Sequence, residues 1–327
     1  MHDFTVLVLP GAFPSSVTLT LDILATAASL AASVGCAKPR WRVYSTESPA
    51  TLGHGLAIDA RILPKTPRAD GSIWVIPGLG LESRRAVISR LAQPDALRAI
   101  TALRTHARAG GTVAASCSAV FLLQAAGLLA GRRVTTSWWF GSLLQKLESR
   151  CTVDADRMVV HDGTVVTAGA AFAQTDLMLH LLRTRFGPAL ADAVSRALLI
   201  DGRQSQAQFI VPAMLGNGNE LIAKLVKRFE SALPDPPGVS DLAAELCMSG
   251  RTLSRHVMAA TGRSTSALLQ SVRLGKARML LETSALTVEQ VAARVGYVDA
   301  TALRRLMRKV AGASPRQFRR SLCNTAG

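Results

Sequence analysis

Aromatic residues are scarce in this 327-residue chain: they make up 5%, with only two tyrosines. Acidic residues are also few, 22 Asp and Glu against 38 Lys and Arg, for a formal net charge of +16 and a pI near 10.9. That imbalance argues against an acidic small molecule as sole substrate and for a polyanionic partner. The five cysteines, Cys36, Cys117, Cys151, Cys247 and Cys323, are odd in number and show no C-x-x-C spacing. A disulfide scaffold or zinc ribbon is therefore not expected, and a reduced, cytoplasmic setting is. Histidines are six and scattered; His54 and His161 sit beside glycines in expected turns, so neither a metal centre nor a cofactor is expected. The first residues, MHDFTVLVLPG, lack a basic leader and stop their apolar run at Pro10-Gly11, which reads as a strand rather than a signal peptide.

One long uncharged run does occur. Thr112 to Ala130, TVAASCSAVFLLQAAGLLA, has the 19 residues a bilayer crossing requires. Its β-rich start gives way mid-run to an Ala/Leu pattern, so it is expected to break at Cys117 into a buried strand and an apolar helix, with no membrane partner.

With 49% hydrophobic and 18% charged residues the chain is globular, and its length suffices for two cores. Over the first two thirds, the apolar segments FTVLVL, WRVYS, SIWVIP, TVAAS, MVVH and TVVTAG alternate with helical stretches near 18–33, 94–108, 118–130 and 172–199. Strands apolar throughout and separated by helices predict an α/β sandwich with a parallel sheet covered on both faces. From 212 the texture changes: a Gly/Asn loop, one amphipathic helix in ELIAKLVKRFESAL, and the stiff linker PDPPG. The expected organisation is a domain over 1–210, a connecting helix and linker over 211–238, and an all-α domain over 239–321.

That last domain repeats one pattern. VSDLAAELCMSGRTLSRHVMAATG and TVEQVAARVGYVDATALRRLMRKVAG each read as a short helix, a turn and a second helix. Leu242, Ala243, Leu246, Leu253 and Val257 face inward in the first copy, and Val288, Val291, Ala292, Val295, Leu303 and Met307 in the second, with Gly296 at the turn. Ser249 stands where its hydroxyl can cap the next helix. These are two helix-turn-helix units. Left outward are Arg251, Thr252, Ser254 and Arg255 on one second helix, and Thr301, Ala302, Arg304, Arg305, Arg308 and Lys309 on the other. Residues 240–320 hold 14 Lys and Arg against 5 Asp and Glu, a surplus of 9. Such helices fit the DNA major groove, where Arg reads guanine, and the surplus suits phosphate neutralisation. Any single exposed Arg is as well explained by a solvated helix face; the doubled unit is not.

RTLSRH, ATGRS, RLGKARMLLE, VEQVAARVGY and SPRQFRR together resemble the AraC/XylS type of bacterial transcription regulator over about 80 residues. The resemblance implies base contacts from Arg251, Ser254 and Arg255 in the first unit and Thr301, Ala302 and Arg305 in the second. It implies double-stranded DNA, RNA polymerase and a second copy of the chain as partners, and a regulator that acts as an activator.

VAASCSAVFLL carries the chemical question. A strand ending in Ser-Cys-Ser and turning at once into a helix puts Cys117 on an elbow near a helix N-terminus, whose dipole lowers a thiol pKa. VIPGLG, AAGLLAGRRVTTSWW, TAGAAFAQTDLMLHLL and GRQSQAQF with that elbow resemble the PfpI-type, glutamine-amidotransferase-like domain of GlxA-type regulators, over residues 5–210. The resemblance implies a flavodoxin-like sandwich whose enzymatic relatives use an acid, a Cys and a His. Those positions fall on Asp22, Cys117 and Ser137, and Ser137 cannot act as a base. A binding site rather than an enzyme is therefore expected, with an effector lined by Asp22, Cys117, Ser137, Trp138 and Phe172. An acid beside aromatic faces would suit an amino acid or amine. Three readings of Cys117 stay open: a nucleophile of an amidase or glyoxalase-like enzyme, a redox-sensing thiol, and a small buried residue filling a tight turn.

Overall fold

The computed structural model describes residues 2–64, 70–203, 205–206, 209–211, 214, 219–311 and 314–319. Contacts divide the chain into Met1–Gln204 and Ser205–Gly327. Most of the expected Gly/Asn loop and parts of GRQSQAQF lie outside the described residues.

In the first unit, the main strands are β1 (Phe4–Val8), β2 (Trp41–Ser45), β3 (Arg61–Ile62), β4 (Ile73–Ile76), β5 (Val113–Ser116), β6 (Val159–Asp162) and β7 (Val165–Ala168). They form one sheet in the order β6-β7-β5-β4-β1-β2-β3. Both faces are covered. Leu7, Trp74, Ile76, Val113 and Ala115 point into one core, with helices α2 (Arg84–Leu91), α3 (Pro94–Arg108), α4 (Val120–Ala125) and α5 (Gly141–Leu147) on that side. Val6, Val8, Val75, Ala114 and Val166 point into the other, under α1 (Pro14–Leu30), α6 (Ala173–Phe186) and α7 (Pro188–Ala197). The period-two alternation of a strand sends neighbours to opposite faces, and both are apolar, which is why these strands read as continuous hydrophobic runs.

The sheet departs from the sequence reading at one edge: β6 pairs antiparallel with β7, whereas β7 joins β5 in parallel. Only Gly163 and Thr164 separate the two strands, with Gly163 at φ +62°, and a connection that short can close only an antiparallel hairpin. The expected helix over 172–199 is two, because Gly187 (φ +91°) ends α6 and Pro188 opens α7 at its first position. The run at 112–130 breaks at Cys117 into β5 and, after a single 3₁₀ turn, α4, which stops before Gly127 (φ +74°). Among the described residues no helix is long and apolar enough to cross a membrane.

The second unit is helical: α8 (Glu220–Ser231), α9 (Val239–Glu245), α10 (Gly250–Thr261), α11 (Thr265–Thr283), α12 (Val288–Arg294), α13 (Ala300–Ala311) and α14 (Pro315–Arg319). Amphipathic α8 buries Ile222, Leu225, Val226 and Phe229 and packs on α11. An Arg228–Glu245 pair with two 2.7 Å bonds ties it to α9. PDPPG is not a free hinge. It packs within this unit, where a Cβ on Gly296 would collide with the Pro234 carbonyl oxygen and touch Pro236.

Candidate nucleic-acid interface and the thiol elbow

Each helix-turn-helix copy buries one stripe and exposes another. In the first, Leu253 and Val257 are fully buried while Arg251, Ser254 and Arg255 are exposed along α10. Ser249 Oγ accepts the Thr252 amide at 3.1 Å, and the Thr252 hydroxyl lies 2.9 Å from the Ser249 hydroxyl. Half-buried Thr252 is thus engaged in the cap rather than presented like its neighbours. In the second, Val291, Ala292, Val295, Leu303 and Met307 make the core with Leu274, Leu281 and Phe318 of the helices around them. Asp299 caps α13 by accepting the Thr301 and Ala302 amides, and its carboxyl is held below the usual range, first by the side-chain bond to Thr301. Thr301, Arg304, Arg305 and Arg308 are exposed and Ala302 is half-buried. The Lys309 side chain lies outside the described residues. Arg304 Nη2 reaches Glu289 Oε1 of α12 at 2.7 Å, so this arginine is committed to a surface ion pair within its own unit. Among the described residues no such pair engages Arg251, Arg255, Arg305 or Arg308.

At the carboxyl edge of the sheet, β5 ends at Ser116 and Cys117 takes φ +55°, a left-handed conformation costly for any side chain with a Cβ. Surrounding bonds hold it there: the Cys117 amide donates to the Gly169 carbonyl at 2.7 Å, and Thr136 Oγ1 donates to the Cys117 carbonyl at 2.8 Å. Ser137 Oγ donates to the Cys117 sulfur at 3.1 Å. The strand-to-helix elbow and the Cys117–Ser137 pairing are both present.

Asp22 is not. It is exposed on α1, and the α1 residue turned toward the elbow is the buried Ser16. Pro14 starts α1 four residues ahead of the expected helix, and six residues from Ser16 to Asp22 leave the two side chains about 120° apart around the helix axis. Ser16 Oγ donates to the Ala171 carbonyl at 3.1 Å. Gly78 fits between them: a Cβ there would lie 3.1 Å from Cys117 Cβ and 3.3 Å from Ser16 Oγ. Trp138 is buried, packed edge-to-face on Trp139 at 5.0 Å, while the Phe172 ring is 55% exposed. The buried acid nearby is Asp176, which sequence reasoning missed; Arg203 bonds it at 2.6 Å. An opening of about 560 Å³ lies not at the elbow but at the opposite, amino edge of the strands, lined among others by Asp70, Ser72, Thr112, His161 and Arg185. His161 belongs to β6 rather than a turn, and its Nδ1 lies 3.0 Å from His180 Nε2.

The helix-turn-helix domain family matches residues 242–321, and the DJ-1/PfpI family matches residues 66–184. The chain is an AraC-type transcription regulator with a DJ-1/PfpI domain. It is similar to the HTH-type transcriptional regulator CdhR of Pseudomonas aeruginosa, 28% identical over 97% of this chain and 91% of that one. It is also similar to the HTH-type transcriptional regulator GlxA of Rhizobium meliloti, 25% identical over 67% of this chain and 68% of the relative. A crystal structure of a protein from Vibrio parahaemolyticus shares the fold, at TM-score 0.51 and 18% identity, covering 61% of this chain and 100% of the other.

In this regulator, burial overrides the helix dipole at the elbow. Cys117 is 3% exposed, and desolvation pushes its thiol pKa up, against the smaller opposing pull of the Ser137 and Ser118 hydrogen bonds. The expected lowering by a helix N-terminus does not survive because α4 follows only after a 3₁₀ turn and Cys117 is buried. Burial and the upward shift both weigh against an attacking thiolate and against an accessible sensor at this position. Iodoacetamide should label native Cys117 far more slowly than exposed Cys247 at pH 7 to 9, read by peptide mass spectrometry. Rapid labelling of Cys117 below pH 7 would contradict this. The raised folded pKa also stabilises the fold fully below the unfolded thiol value, about 8.5, and that contribution is lost as pH rises through the folded value.

Proposed function

We propose that the regulator binds a small metabolite at the carboxyl edge of its DJ-1/PfpI sheet, without catalysis, and that binding alters how the second unit engages DNA. Ser137 beside the Cys117 sulfur carries this reading: a hydroxyl stands where a Cys-dependent enzyme needs a base, yet the elbow is retained. In open α/β sheets, ligands sit beyond the carboxyl ends of the strands, which is where Cys117, Ser137, Trp138 and Phe172 lie. The case for a cationic amine by charge is weakened, since Asp22 faces solvent and Asp176 is neutralised by Arg203. The effector class we favour is therefore a small neutral or zwitterionic metabolite such as an amino acid.

The regulator would act in the cytoplasm as a homodimer and recruit RNA polymerase as an activator. The effector would favour one of two arrangements of the units through differential affinity. A thermal-shift screen of the full chain with amino acids, amines and related metabolites tests the sensor. A ligand at about 100 times its Kd should add roughly 2.7 kcal/mol of stability. Phe172→Ala, at the exposed ring, should remove most of that shift. A hit whose shift survives Phe172→Ala but is lost on Thr112→Val would move the site to the opposite edge and overturn this placement.

A further inference from the structure

The turns of the two helix-turn-helix copies differ by one residue. Cys247 and Gly296 occupy the same left-handed position, at φ +53° and +79°, and each amide donates to the carbonyl three residues back. From Cys247, one residue, Met248, precedes the capping Ser249; from Gly296, two residues, Tyr297 and Val298, precede the capping Asp299. Tyr297 turns back, its ring under the Arg273 guanidinium at 5.3 Å. Val298 turns out. Its relative exposure is 109%, the highest of the large hydrophobic residues that stand exposed in the described structure.

A fully solvated isopropyl group at this place is hard to explain by folding, because it contributes no burial to the second unit. Its position is informative. It precedes α13 by one capping residue, and in a helix-turn-helix the amino-terminal end of the second helix is the part that meets base edges. Just behind it stand exposed Thr301 and half-buried Ala302, which also carry methyl groups. At the corresponding end of α10 the residue before the cap, Met248, is half-buried, and Ser249, Gly250 and Arg251 follow it, so no apolar side chain stands fully exposed there. The base edge that rewards an apolar contact is thymine, through its C5-methyl group.

We infer that Val298 is a specificity-determining residue: it covers a thymine methyl at the edge of the site read by α13, so the second half-site is chosen partly by apolar contact. This rests on the reading of the second unit as a DNA reader.

The test starts with duplexes enriched from a random pool by the full chain. Each thymine of the winning sequence is replaced in turn by uracil, which removes only the methyl, and affinities are measured for the native chain and Val298→Ser. We expect one uracil position to weaken native binding about fourfold, the worth of one buried methyl-sized group. Val298→Ser should bind the parent duplex about fourfold more weakly and be indifferent to that uracil. Because Val298 is fully exposed, Val298→Ser should fold as the parent does, and an unchanged melting temperature verifies this. Uracil sensitivity that persists in Val298→Ser, or a native chain indifferent to every uracil, overturns the inference while leaving the DNA reading intact. A pool that yields no enriched sequence overturns both.

Discussion

Arg255→Ala should weaken binding of the regulator to its preferred duplex by about 1–3 kcal/mol, roughly 5- to 150-fold, and relax base preference at one position of the site. The magnitude is that of a bidentate arginine contact to guanine. Arg255 is exposed on the outer stripe of α10, and among the described residues no carboxylate pairs with it. Arg304 provides the contrast. Its guanidinium bonds Glu289 at 2.7 Å, so a base would have to displace a carboxylate to gain it. Arg304→Ala should therefore cost less than Arg255→Ala in specific binding, and as a surface pair it should change folding stability by under about 1 kcal/mol. Competition titrations against single-base variants separate the two. Equal losses on every duplex, with a flattened salt slope, would make Arg255 a phosphate contact instead.

The second large effect concerns stability. Gly296→Ala should destabilise the second unit by about 3 kcal/mol or more, because two penalties combine. At φ +79° a Cβ costs on the order of 1–2 kcal/mol. Added to that, the new carbon would drive into the Pro234 carbonyl oxygen, which is backbone and cannot swing aside. The same position in the first copy predicts the opposite sign. Cys247 already takes φ +53°, so Cys247→Gly should be neutral to stabilising by up to about 1 kcal/mol. Chemical denaturation followed by helical circular dichroism reads both. A Gly296→Ala chain as stable as the parent would mean that PDPPG does not pack against the turn as described.

Much of the second unit is legible in the sequence because its determinants are short-range. The spacing of Leu253 and Val257, or of Val291, Ala292 and Val295, sets which face is buried, and Ser249 marks a helix start within three residues of the bond it makes. The elbow is legible for the same reason, since the change from β-rich to helical composition falls on Cys117 itself. What was not legible depends on partners far along the chain. Asp22 is assigned to the site by resemblance alone, whereas the phase of α1, six residues and about 120° on from buried Ser16, turns it to the surface. Periodicity carries no strand direction, so the antiparallel β6–β7 edge went unseen. The stiffness of PDPPG is plain from its prolines, but the partner it packs against, Gly296, stands about 60 residues later. The Cys117 thiol is governed by burial under Gly78, Ser16 and Ser137, drawn from three other segments, rather than by the local dipole.

The measurement that bears most directly on this account is a titration of the full chain against pool-selected and random duplex of equal length, across a range of salt. Two reading helices predict a selected site bound at least about 1,000-fold more tightly than random DNA at physiological salt, with both affinities falling as salt rises. Equal affinity for the two duplexes at every salt concentration, with or without candidate effectors, would contradict it.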